Sequence, residues 1–235
     1  MARSRPDPVP GLAAGPALPP PDVLAGEDFP PPPRQERSRR KREALLDAAL
    51  ALFAERGFEG AGIEDIAGRA GIAVGGFYQH FRSKRQALLV LMDRWLGEVA
   101  ALDPTRCADA LTAAPVAIGA LVRDALRLDW GYAGAYRAWR EAALADPALG
   151  ALQREMEAWT RARIGVVLRA ALRAPGARRA VDGEALAWAV NLLFWRLAET
   201  PADNTEAAVA AVSAMLHHAL FEDGIPLPGT PDLTR

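Results

Sequence analysis

From Leu45 onward the apolar residues of this chain recur with the 3.6-residue period of an α-helix, and no segment of more than a few residues alternates in the two-residue period of a half-buried strand. That pattern confines the chain to an all-α fold. Leu45, Ala48, Ala49, Leu52 and Phe53 stand at i, i+3, i+4, i+7 and i+8, and the run stops at Gly57. Ile63, Ile66, Ala67 and Ala70 repeat the pattern up to Gly71, a residue that takes the left-handed turn conformation readily. A third short helix is expected over 74–80. Phe77 and Phe81 share its inward face, and Val74, Gly75, Tyr78 and Gln79 lie on the other. Ser83 and Gln86 form an S-x-x-Q capping box that opens a longer fourth helix with Leu88, Met92, Trp95, Leu96 and Val99 on its buried stripe.

The pattern stays helical downstream. Ile118, Leu121, Val122 and Ala125 mark one helix, and Tyr132, Tyr136, Trp139 and Ala143 mark another. Asp146-Pro147 is an N-cap followed by proline at the first helical position, and the helix it opens is broken by Pro175-Gly176. Two last segments, 182–198 and 204–221, are apolar on two faces, so each needs two partners. About nine helices are expected in all. Residues 1–33 hold 11 of the 19 prolines and are expected to form a disordered or polyproline leader; 34–83 form the short-helix domain, 84–223 a second helical domain, and 224–235 a proline-containing tail.

Charge is unevenly placed. The net charge is −1, yet residues 34–85 carry 11 Lys and Arg against 7 Asp and Glu, a local excess for which nucleic acid is one reason. The single cysteine, Cys107, rules out an intramolecular disulfide and a Cys-rich metal site, which fits a reducing cytoplasm. No apolar run reaches membrane-spanning length and no signal-peptide order is present, so the chain is read as neither inserted nor secreted. Nucleophile elbow, phosphate loop and metal motif are all missing, and the adjacent pair His217-His218 diverges by about 100° on a helix. Neither enzyme activity nor a cofactor is expected.

The segment Gly57-Phe58, Ile63-x-x-Ile66-Ala67-x-x-Ala70-Gly71-Ile72, Gly75-x-Phe77-Tyr78-x-His80-Phe81-x-Ser83-Lys84-x-x-Ala87-Leu88 resembles the N-terminal domain of the TetR family nearly position for position. The resemblance implies a helix-turn-helix protein that binds double-stranded DNA as a homodimer, most often as a repressor. By carry-over, Val74, Gly75, Gly76, Tyr78 and Gln79 belong to the recognition helix, Tyr78 and His80 contact phosphate, and Lys84 meets an anion at the start of the fourth helix. Gln79 suits an adenine edge, and Arg37, Arg39, Arg40 and Lys41 would lie along the backbone or in the minor groove. Taken alone, such a basic run is equally well a solvated flank. The chain also departs from the family pattern: Ala61, Gly62, Ala73, Val74 and Gly76 stand where hydrogen-bonding groups are common, and each of the two adjacent glycines weakens a short helix by roughly 1 kcal/mol.

In the second half, Leu186–Arg196 together with Met156-x-x-Trp159 resembles the EthR-type branch, whose helical domain encloses a small hydrophobic effector. That resemblance places Met156, Trp159 and Asn191 on a pocket wall, with Tyr136, Trp139, Phe194 and Trp195 as further candidates. Asn191 sits mid-helix among apolar residues and needs a partner, either a ligand or a neighbouring helix. The two last helices are expected to form a four-helix bundle with a second copy. An alternative reading is a helical small-molecule sensor that acts through a protein partner, its DNA contacts weakened.

Overall fold

The computed structural model describes residues 19–113, 115–178, 180–198 and 205–221. The outer part of the leader, 1–18, and the tail, 224–235, lie outside the described residues. Ten helices follow one another: α1 Glu36–Gly60, α2 Ile63–Arg69, α3 Val74–Tyr78, α4 Lys84–Ala101, α5 Pro104–Ala113, α6 Pro115–Gly131, α7 Ala133–Ala145, α8 Pro147–Ala171, α9 Gly183–Ala198 and α10 Thr205–Leu220. The expected all-α class holds among the described residues. The additional helix is α5. Its start carries the same Asp-Pro signature that marks α8: Asp103 accepts the backbone N–H of Thr105 at 2.8 Å, as Asp146 accepts that of Ala148 at 2.9 Å. Among its described side chains only Ala108 and Leu111 of α5 are buried, so its apolar stripe is short.

The local signals explain the first four helices. At the end of α2 the Ile72 N–H donates to Ala67 O at 2.9 Å and the Gly71 N–H to Gly68 O at 3.1 Å, with Gly71 at φ +67. This is a complete Schellman motif, and it turns the chain into α3. Gly62 precedes α2 without a side-chain cap, as its lack of polar atoms dictates. Ser83 Oγ accepts the Gln86 N–H at 3.3 Å, so half of the expected capping box forms. The other half shifts by one residue: Gln86 Oε1 accepts from the Arg82 N–H at 2.8 Å.

Two apolar cores result. The first joins Leu45, Leu52, Phe53, Ile66, Phe77, Phe81, Leu88 and Met92 to Tyr136, Trp139, Met156 and Trp159, so it runs from the short-helix unit straight into α7 and α8. The second joins α5, α6, α8, α9 and α10 through residues such as Ile118, Val122, Leu126, Leu168 and Leu216. The first core therefore runs across the expected boundary at 83–84.

The described part of the leader, 19–33, lies against the first core. Val23 is buried in the first core, and Leu24 and Phe29 pack against it. Glu27 pairs with Arg85, Asp28 with Arg82 at 2.9 Å, and Gln86 Nε2 donates to Asp28 O at 3.0 Å. Prolines cannot join helix or sheet, but nothing prevents them from carrying an apolar anchor and two carboxylates across α4.

Candidate nucleic-acid interface and effector cavity

Packing of α3 divides its side chains as the sequence requires. Phe77 is fully buried against Phe81, with ring centroids 5.7 Å apart, while Tyr78 is 51% exposed. Val74, Gly75 and Gln79 face outward beside it, and Gly76 is half-buried because a Cβ there would strike the Ile72 side chain. A short helix with an aromatic hydroxyl, an amide and bare backbone on one open face is suited to a DNA groove. Arg37, Arg39, Arg40 and Lys41 are all exposed, but they form the first turns of α1 instead of an extended arm. Arg40 is paired with Glu36 at 3.2 Å, a weak surface pair that a phosphate can replace.

Two of the expected phosphate contacts are placed differently. His80 is only 5% exposed, and together with Arg39, Arg42 and the prolines 30–33 it lines a crevice under the leader. Burial, then the nearby Arg42 and Lys41, hold its imidazole below the usual histidine range, and its Nδ1 has no hydrogen-bond partner. Lys84 Nζ donates to Phe58 O at 2.7 Å and sits 4.6 Å over the Phe58 ring. It thereby satisfies carbonyls at the end of α1, which also offsets the unfavourable placing of a cation at the start of α4.

The second domain contains a cavity of about 180 Å³ bounded by α4 to α10. Of the expected wall residues, Tyr136, Asn191, Phe194 and Trp195 line it. Trp139 on α7 and Met156 and Trp159 on α8 do not: all three are buried in the first core, where α7 and α8 pack together. Asn191 has found a protein partner on α8. Its Oδ1 accepts from Thr160 Oγ1 at 2.7 Å and its Nδ2 donates to Glu157 O at 3.2 Å, so the amide ties α9 to α8 while still contributing to the wall. Arg163 crosses the mouth, donating to Leu102 O at 2.7 Å and Val99 O at 3.0 Å and stacking over Trp159.

Asp129 is the ionisable wall residue of α6, and it was not among the expected ones. Asp129 on α6 accepts from Trp95 Nε1 at 3.0 Å and from the Tyr136 hydroxyl at 3.2 Å, and burial pushes its carboxyl up to about 7 against the opposing effect of those two bonds. Its position was legible: it stands seven residues after Val122 on the same apolar stripe.

One helix, α7, touches both the cavity and α1. At Gly134, α7 approaches α1 so closely that a Cβ would run into Leu50 O, and Arg137 donates to Ala54 O at 2.6 Å. Tyr136, between them in sequence, lines the cavity.

A short exposed helix behind a tight turn is the geometry of a helix-turn-helix unit, and here it is set on a helical body with a cavity. Residues 45–90 match the family model for bacterial regulatory proteins of the tetR family. Over 57 residues the chain is 46% identical to the HTH-type transcriptional repressor KstR2 of Mycolicibacterium smegmatis, covering 24% of this chain and 27% of that protein. The chain thus spans about a quarter of the length of the curated relatives it matches. Those relatives are named as transcriptional regulators, not as enzymes. The fold extends further: the KstR2 structure from Mycobacterium tuberculosis aligns with a TM-score of 0.56 at 20% identity over 80% of this chain and 98% of that one. AibR, solved with isovaleryl coenzyme A and operator DNA, aligns with a TM-score of 0.56 at 21% identity over 75% of this chain and 98% of that one.

Proposed function

We propose that this chain is a cytoplasmic, ligand-responsive transcriptional repressor that binds a palindromic operator as a homodimer and leaves it when a small, largely apolar effector enters the cavity. The observation that carries this reading is the shared helix: α7 gives Tyr136 to the cavity wall and holds α1, through Gly134 and Arg137, on its other side. A molecule that displaces Tyr136 acts on the helix that positions the recognition unit, and it shifts the population only as far as it favours the displaced arrangement.

The homodimer is supported by the last two helices. Trp188 is 54% exposed and Leu192 follows it one turn later on α9, while Met215 is 60% exposed on α10. Apolar faces of this kind suit a four-helix bundle with a second copy. Such a pairing has a geometric consequence, since recognition helices about 34 to 36 Å apart meet successive major grooves on one side of the duplex.

Sedimentation combined with gel shifts on the DNA upstream of the gene tests the reading. The expected result is a dimer whose retardation of that DNA is lost on adding a cavity ligand. A monomer, or a complex unmoved by a ligand that demonstrably binds, overturns it.

A further inference from the structure

The cavity holds an acid that, among the described residues, has no counter-ion. Asp129 is 7% exposed, and among the described residues its bonded partners are two neutral donors, the Trp95 indole and the Tyr136 hydroxyl, both converging on the same carboxylate oxygen. No lysine, arginine or histidine is bonded to it. Arg163, the basic residue on the wall, spends its guanidinium on the carbonyls that end α4 and on the Trp159 face. A buried carboxylate in this condition is costly and is relieved either by taking up a proton or by meeting a cation.

Around this acid stand three aromatic rings. Trp95, Tyr136 and Trp195 come from α4, α7 and α9, and they pack edge to face with centroids 5.3 Å apart for Trp95 and Tyr136, 5.6 Å for Trp95 and Trp195, and 5.1 Å for Tyr136 and Trp195. All three line the cavity with Asp129. Ring faces attract cations, most strongly where water is excluded, and the remainder of the wall is mostly aliphatic, with Leu121, Val122, Leu168 and Val190 among its members and Thr160, Asn191 and Arg163 as its polar ones.

Resting on the reading of this cavity as the effector site, we infer that the effector is a lipophilic cation, an amine or quaternary ammonium whose charged head lies between Asp129 and the Trp95–Tyr136–Trp195 cluster and whose apolar part fills the aliphatic end. The geometry disfavours an anionic effector, which would have to approach Asp129. It also gives the signal a route, since Asp129 holds the hydroxyl of Tyr136, and Tyr136 belongs to the helix that carries α1. A cation that recruits the carboxylate pulls on that hydrogen bond.

The test uses the full chain and three probes: benzyltrimethylammonium, its uncharged isostere neopentylbenzene, and phenylacetate, with binding followed by tryptophan fluorescence and calorimetry. At pH 8 the cation is expected to bind at least about tenfold more tightly than the isostere, the gain of a desolvated cation–π contact with a charge partner. Because the quaternary head does not titrate, its affinity is expected to fall by about tenfold per pH unit below 7, where Asp129 takes up its proton, while that of neopentylbenzene stays level. The other ionisable side chains on the wall are Cys107 of α5, Tyr136 of α7 and Arg163 of α8, and α4 and α9 bring none. Asp129→Asn is expected to erase the preference for charge and leave neopentylbenzene binding intact, and the pH series on the unaltered chain serves should that variant not fold. Equal or tighter binding of neopentylbenzene or phenylacetate at pH 8 overturns the assignment of a cation and leaves the cavity as an effector site. Failure of every probe to bind overturns the effector-site reading, and this inference with it.

Discussion

The carboxylate of Glu141, on α7, accepts the backbone N–H of Phe58 at 2.6 Å and that of Glu59 at 3.1 Å, eighty-odd residues earlier in the chain. Those two N–H groups open the short helical stretch that follows the break at Gly57, where φ is +72, and no residue of α1 itself supplies a cap. The second domain therefore caps the first. Glu141→Ala leaves two donors unsatisfied and is expected to cost about 1 to 2 kcal/mol, read as a lower midpoint in denaturant melts. If α7 transmits the effector signal, the same variant also shows a smaller ligand-induced drop in operator affinity.

Gly57 itself cannot be replaced cheaply. A side chain at φ +72 is strained by about 1 to 2 kcal/mol, and its Cβ would occupy the space of the Glu141 carboxylate. Gly57→Ala is expected to lower stability by more than Glu141→Ala, which paired thermal melts would reveal.

Val23 offers a check on the leader. Val23→Asp places a charge in the first core and is expected to destabilise by at least about 2 kcal/mol, whereas a substitution in a disordered segment changes nothing measurable. Hydrogen exchange at Val23 and Leu24 distinguishes the two outcomes directly.

On the DNA face, Tyr78→Phe and Gln79→Ala are expected to behave differently. Loss of a neutral hydroxyl contact to phosphate weakens binding to all sequences alike and leaves the salt slope unchanged, while loss of a base contact costs about 1 to 3 kcal/mol on the operator and relaxes specificity at one position. Binding isotherms on operator and scrambled duplexes at several salt concentrations separate them.

Stability should also carry the mark of Asp129. Its folded-state value of about 7 lies above the ordinary 3.8, so between those limits the folded chain holds a proton that the unfolded chain has released. This group's contribution to stability is thus fully present below about pH 4, is lost as pH rises to about 7, and amounts to about 4 kcal/mol across that window. Asp129→Asn, which keeps an acceptor oxygen and cannot ionise, is expected to flatten the dependence of the melting midpoint on pH over the same range.

Several of these expectations depend on which features were legible before folding. The helical class, the Gly71 turn, the inward Phe77 beside the outward Tyr78 and the Asp-Pro start of α8 all follow from residues within four or five positions of each other, where the period of the helix and the chemistry of its ends leave few alternatives. That proximity is why the sequence alone determined them. Tertiary structure decided what depends on distant partners: Lys84 turned onto the end of α1, His80 covered by the leader, Met156 and Trp159 drawn into the first core while Asn191 kept a place at the cavity. Asp129 shows the difference most plainly. Its stripe position is written in the sequence, but whether a carboxyl on that stripe meets a cation, a proton or only an indole and a phenol is settled by helices 34 residues before it and 7 after it, and a local pattern carries no information about that.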